Sequence, residues 1–201
     1  MTEMHKILDG ENETKINIFR VAAKLFAEKG YNGVSMREIS EMSKVSKPTI
    51  YYYFGSKEGV FKELVNFGLH YGSAQAKQIA ALDIPVKQRL VKIIQSRFRI
   101  SFEHPDFSKF FLMVFVTSEN LPFLDEFKKQ ANIHRQLLVD LIQEGVDSGE
   151  FGAGANPQLA SEIIGAVMGH FIGKQLKIKK KFLTSDLAEE IVELLFKGLN
   201  E

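Results

Sequence analysis

The stretch VSKPTIYYYFGSKEGVF, residues 45–61, sets three consecutive tyrosines behind a lysine and a proline. Successive side chains on a helix step round by about 100°, so Tyr51, Tyr52 and Tyr53 cannot share one buried face. Ser46 is placed to cap such a helix, Pro48 is tolerated in its first turn, and Gly55 closes it. Ile50 and Phe54, four apart, form the inward edge, with Val45 beneath. Lys47 and Tyr51 share another face, as do Pro48 and Tyr52, and both look away from the core. Tyr53 flanks Ile50 as a boundary residue. Core packing alone does not explain aromatic hydroxyls aimed at solvent.

Upstream, Val34-Ser35-Met36-Arg37-Glu38-Ile39 reads as a helix start. Ser35 can cap the new amides while Glu38, three residues on, reaches back to the Ser35 amide, and Val34 and Ile39 are spaced for a hydrophobic staple. This helix runs to about Met42, and Ser43-Lys44-Val45 turns the chain. Before it, Ile18, Ala22, Leu25 and Phe26 follow helical spacing up to a C-cap glycine at Gly30. Two short helices joined by a three-residue turn and backed by a longer one make a helix-turn-helix. In that motif the start of the second helix meets the DNA groove, where phenolic hydroxyls donate to phosphates and Lys47 supplies charge. Thr49 is short enough to allow close approach. Between Lys15 and Lys57 there are eight basic residues against three acidic ones, an excess of five on a chain whose net charge is +1. That asymmetry favours a polyanionic partner over the plainer reading, in which the tyrosines finish a small core with their hydroxyls in water.

On these residues the chain resembles the DNA-binding domain of the TetR family of bacterial transcriptional regulators. The matching text is IFRVAAKLFAEKGYNGVSMREISEMSKVSKPTIYYYFGSKEGVF, within residues 14–61. The resemblance implies phosphate binding by the serine that starts the second helix, Ser35, and by the lysine after the reading helix, Lys57. It implies base and backbone reading by Ser46, Lys47, Pro48 and Thr49, and backbone clamping by Tyr51, Tyr52 and Tyr53. Arg37 joins these as a DNA-contact candidate. Many members carry glycine where this chain has Pro48, and many carry histidine at position 52.

The whole chain, 201 residues with 45% hydrophobic and 25% charged, is ordinary for a globular protein. It has no cysteine, which excludes disulfides, thiolate metal sites and thiol catalysis. No apolar run approaches a membrane span, and the N-terminus lacks the apolar core of a signal peptide, so a cytoplasmic protein without membrane contact is expected. The fold class expected is all-α, with an N-terminal three-helix helix-turn-helix DNA-binding domain followed by a helical ligand-binding and dimerisation domain. Residues 1–56 form the tail and DNA-binding domain, 57–84 a connecting fourth helix, and 85–201 the second domain. Further helices are expected over about 86–103, 107–118, 122–148, 157–177 and from about 185, giving about nine in total. The lysines between 177 and 181 read as a solvated loop.

Eight of the seventeen phenylalanines fall between Phe98 and Phe127. Singly each reads as core; together they suit a cavity for an apolar or aromatic ligand. The pocket candidates are Phe67, Tyr71, Phe98, Phe102, Phe110, Phe111, Phe115 and Phe127, with His134 and His170 for polar contacts. No histidine pair has metal-site spacing, and neither metal nor cofactor is expected. Gly165, Gly169 and Gly173 recur every four residues beside Met168 and Ile172, a side on which another helix can approach closely, although packing within the chain would use the same feature. Leu187, Ile191 and Leu195 repeat similarly on the last helix. The resemblance implies a homodimer through a four-helix bundle of these two helices from each subunit, and a two-fold dimer suits a reading helix that covers one half-site. The sequence therefore points to a ligand-responsive regulator, a repressor rather than an activator, that binds a double-stranded DNA operator and a small-molecule effector. A helical ligand-binding or adaptor module without DNA function would leave the SKPTIYYYF face unexplained. An enzyme would need a motif such as G-x-S-x-G, a P-loop, G-x-G-x-x-G or H-E-x-x-H, and none is present.

Overall fold

Nine helices and no strands make up the described residues, 13–116, 124–180 and 182–197 of a computed structural model. Side chains at 115, 116, 124–126, 128–131 and 134 lie outside that description, so Phe115 and His134 are placed only as positions on helices. The helices are α1 (Glu13–Lys29), α2 (Met36–Ser43), α3 (Lys47–Phe54), α4 (Lys57–Ala80), α5 (Val86–Glu103), α6 (Pro105–Val116), α7 (Leu124–Asp147), α8 (Pro157–Ile178) and α9 (Ser185–Lys197). The all-α class and the helix count follow the apolar spacing closely. Helix bounds shift by a residue or two, and the start of α6 shows why: it lies at Pro105, where 107 was expected. Proline breaks the helix before it but suits the first turn of the helix after it, because amides there lack intrahelical partners anyway.

The residues divide into two compact units. One holds 13–72 and 106–116, and the other holds 73–105 and 124–197. This division differs from a boundary at 84/85, since α6 groups with the N-terminal helices and the last turns of α4 group with α5. The reason is aromatic packing. The first unit's core is a chain of rings: Phe26 to Phe61 at 5.1 Å, Phe61 to Phe110 at 5.2 Å, Phe19 to Phe54 at 5.5 Å and Phe67 to Phe107 at 6.3 Å. Rings at such spacing gain edge-on attraction beyond their buried area. At Gly68 an added Cβ would fall 1.9 Å from the Phe111 ring, so α4 and α6 cross where one has no side chain.

The second unit packs α5, α7, α8 and α9 around Leu90, Ile94, Phe98, Ile142, Ile164, Val192 and Phe196. Its polar ties run between segments far apart in sequence. No side chain of α5's own first turn caps it; the Glu150 carboxylate instead accepts the Val86 and Lys87 amides, each at 2.8 Å. Buried Arg89 donates to the Ala80 carbonyl at 2.9 Å, ending α4, and pairs with Glu144. Buried Gln175 donates to the Ser101 hydroxyl at 2.9 Å and accepts the Phe182 and Leu183 amides at 3.2 Å. Each tie satisfies a backbone or hydroxyl group that would otherwise be desolvated at a cost of about 1–3 kcal/mol.

Candidate nucleic-acid interface

The reading module is assembled from three short-range devices. The first is the start of α2. The Glu38 amide donates to the Ser35 hydroxyl oxygen at 3.2 Å, and the Ser35 amide donates to the Glu38 carboxylate at 2.9 Å, a reciprocal capping box. Val34 and Ile39 are both buried beside it. The Lys29 ammonium, 2.6 Å from Glu38, together with the Ser35 hydroxyl and amide, holds the Glu38 carboxyl down at about 2 from an ordinary 4.5. A depressed carboxyl contributes stability above its unfolded pKa and loses it as pH falls through the folded value. The melting temperatures of the protein and of Glu38→Gln should therefore differ most above about pH 5 and converge as pH falls toward 2. A constant difference across that window would show that the capping charge contributes nothing.

The second device is the turn. Lys44 caps α2 in the left-handed region, at φ 56°. The backbone on either side of it is tied down. Asn17 of α1 donates to the Ser43 carbonyl at 2.7 Å, the Ser40 hydroxyl donates to the Val45 carbonyl at 2.7 Å, and the Val45 amide donates to the Ser43 hydroxyl at 3.3 Å. A left-handed residue other than glycine costs about 1–2 kcal/mol, so the turn persists because these bonds over-determine it.

The third device is α3. Ser46 accepts the Thr49 amide at 3.3 Å and pairs with the Thr49 hydroxyl at 2.7 Å, with Pro48 in the first turn. Ile50 and Phe54 are buried. Lys47 and Pro48 are exposed, Tyr51 is 48% exposed and Tyr52 85% exposed. Tyr53 is half-buried, with its ring 6.0 Å from Phe54 and 5.5 Å from Tyr52. The geometry therefore presents one helix face carrying a cation, a flat ring edge and two phenols, with nothing among the described residues covering it.

The other DNA-contact candidates are less free. Ser35 is exposed, but its hydroxyl donates to Glu38 at 2.8 Å. Arg37 pairs with Glu41 at 2.7 Å, an exposed contact that costs under about 1 kcal/mol to break. Lys57 is committed inward: its ammonium donates at 2.9 Å to both the Tyr31 and Val34 carbonyls and lies 4.4 Å from the Tyr31 ring centre. Of its three donors, one remains for a phosphate. Asn17, which sequence reading passed over, proves to be part of the module, and Lys44, read there only as one residue of the turn, is its left-handed cap, a conformation with no signature in a lysine.

The pocket candidates whose side chains are described divide between the two units. Phe110 lies in the first unit's ring chain with half-buried Phe67, and half-buried Phe111 covers Gly68. Tyr71 and Phe127 are buried, and Phe98 belongs to the second unit's core. Phe102, one turn on from Phe98, is 50% exposed near the end of α5, and His170 is exposed on α8. A groove of about 440 Å³ between α5 and α9 is lined by Lys87, Lys92, Glu189, Glu193, Gln88, Gln95 and Val91, and none of the aromatic candidates borders it. Among the described residues no group of side chains could hold a metal ion, and no helix is long and apolar enough to cross a membrane.

On α8, Gly165 and Gly169 face open space, with no atom within 4 Å of an added Cβ. Gly173 is half-buried. Met168, Ile172, Leu187, Ile191 and Leu195 are partly buried against their own unit's core, while Leu159, Ile163 and Leu194 stand exposed on the same two helices.

Helices α1–α3, with a braced turn and an uncovered polar-aromatic face on the second short helix, define a helix-turn-helix DNA-binding module. Residues 18–64 match the family model described as bacterial regulatory proteins, tetR family. Over 111 residues the chain is 32% identical to the HTH-type transcriptional repressor NicS of Pseudomonas putida, covering 55% of this chain and 50% of that protein. The chain spans about half the length of the first curated relatives it matches. A putative fatty acid metabolism regulator of Clostridium perfringens superposes with a TM-score of 0.80 at 23% identity, over 90% of this chain and 97% of that one. The transcriptional regulator FadR from Bacillus subtilis, solved in complex with stearoyl-CoA, gives 0.79 at 21%, over 91% and 98%. At these identities the structural likeness is one of fold. Residues 18–64 therefore match the N-terminal region of the TetR family of bacterial regulatory proteins, and the remainder of the chain shares the fold of solved regulators.

Proposed function

We propose that this chain is a ligand-responsive transcriptional repressor, not an enzyme, that binds a roughly palindromic operator as a cytoplasmic homodimer. The observation that carries the reading is the uncovered face of α3, where Lys47, Pro48, Tyr51 and Tyr52 are exposed while Ile50 and Phe54 anchor the helix from behind. Relatives named as regulators support it, and an adaptor module gives no reason for that face. The N-terminal helices read DNA, and the C-terminal helices receive the effector and join the subunits. An effector with an apolar body suits the phenylalanine-rich composition, and the FadR protein of similar fold was solved with stearoyl-CoA. Occupancy releases DNA, and linkage then requires operator DNA to weaken effector binding by the same factor. Selection and sequencing of the duplex fragments that the purified protein retains tests the reading; no enrichment, together with no salt-dependent duplex binding, would overturn it.

The dimer has its own test. Gly169 faces open space on α8, so the Cβ of Gly169→Glu meets nothing among the described residues and the substitution gains helix propensity of up to about 1 kcal/mol. Its fold should be intact, yet a buried charge at a two-fold interface should leave monomers in sedimentation equilibrium. A variant still dimeric would move the interface elsewhere.

A further inference from the structure

We propose that Lys44, at the tip of the turn between α2 and α3, is a DNA-phosphate anchor that sets the approach of the reading helix. The inference rests on the DNA-binding reading above and adds a contact residue to it. Lys44 adopts φ 56°, where a helix C-cap ordinarily carries glycine or asparagine. Its side chain does not hold the turn. It is exposed and makes no hydrogen bond or ion pair among the described residues. The turn is held by Asn17 on the Ser43 carbonyl and by the Ser40 and Ser43 hydroxyls on the Val45 backbone. Glycine would therefore serve the fold better, and the lysine acts outward.

Its position says on what. Lys44 lies two residues before the Ser46 cap and three before Lys47, the first residue of the reading helix. A cation beside the groove-entering end of that helix is placed for the phosphates flanking the groove, while Lys47, in the helix's exposed first turn, is placed for the groove itself. The neighbouring cations are otherwise engaged: Lys29 with Glu38, Arg37 with Glu41, and Lys57 with two carbonyls. A flexible four-carbon stem on a braced backbone delivers a point charge with little further ordering of the chain.

The test compares the full-length protein with Lys44→Gly and Lys44→Arg. Binding to a mixed-sequence duplex is measured at several salt concentrations, and melting is measured without DNA. Lys44→Gly should melt at or above the unsubstituted protein yet bind roughly fivefold more weakly, with a salt slope smaller by about one. Lys44→Arg should restore most of the affinity and the slope. Unchanged affinity and slope in Lys44→Gly would overturn the assignment, as would a loss of affinity accompanied by a fall in melting or not rescued by arginine. Failure of the unsubstituted protein to bind duplex at any salt would instead overturn the DNA-binding reading itself, and the anchor with it.

Discussion

Gly59→Ala is expected to destabilise the protein by about 3 kcal/mol, lowering the melting temperature by roughly 6–12 °C for a chain of this size. An alanine Cβ at this position would sit 1.8 Å from the Phe54 carbonyl oxygen and 3.0 Å from its carbon. Neither atom can step aside. The Phe54 oxygen accepts the Ser56 amide at 2.8 Å, and the Gly59 amide is itself held by the Ser56 hydroxyl at 3.0 Å. On one side Phe54 is locked by Phe19, and on the other Val60 and Phe61 are wholly buried. Relief must come from rotating α3 against α4, so DNA binding should fall along with stability. Gly55→Ala is the control. Gly55 has φ 70° but nothing within 4 Å of an added Cβ, so its substitution costs only a backbone term of about 1 kcal/mol. Equal losses at the two positions would mean that close approach is not what Gly59 provides.

Lys47→Ala should weaken operator binding about ten- to a hundredfold and relax base preference while leaving melting unchanged. The side chain is exposed and unpaired among the described residues, so its removal disturbs no contact of the fold. A lost charge-assisted contact at the groove is worth about 1.5–3 kcal/mol. Tyr51→Phe and Tyr52→Phe keep the rings and remove only hydroxyls, so at least one should lose about 1 kcal/mol of DNA affinity with stability intact. Lys57→Ala should behave in the opposite way. It unties the Tyr31 and Val34 carbonyls and uncovers the Tyr31 ring, so melting falls first and binding follows. Binding isotherms and thermal melts on the same four variants separate the two patterns. A Lys47→Ala protein that binds as well as the unsubstituted one would remove α3's outward face from the interface.

Helix α4 is continuous from Lys57 to Ala80, and its residues are shared between the two units, divided after Gly72. α6 groups with the DNA-reading helices through Phe107, Phe110 and Phe111, so a change at α6 would be felt by the packing of α1 and α4.

Much of the reading module was legible because its determinants are local. The Ser35–Glu38 box, the Ser46 cap, Pro48 in the first turn and Gly55 at the end act within four residues, and bonds of that reach leave a signature in the order of residue types. The sorting of the tyrosines was equally local, because helical geometry alone separates Ile50 and Phe54 from Tyr51 and Tyr52. The phenylalanines were not decided that way. Spacing places Phe98 with Phe102 and Phe107 with Phe111, yet α6 turned its rings to Phe26, Phe61 and Phe67 and left Phe102 half in solvent. An amphipathic face states that it will be buried but not against what. Lys57 reads from the sequence as a phosphate ligand, and only the fold shows that two of its donors are engaged by the Tyr31 and Val34 carbonyls, 26 and 23 residues away. Glu150 capping α5 and Arg89 closing α4 are of the same kind. Each is a partner chosen by three-dimensional proximity, because an unsatisfied buried amide or carbonyl accepts whichever polar group the packed core brings within reach.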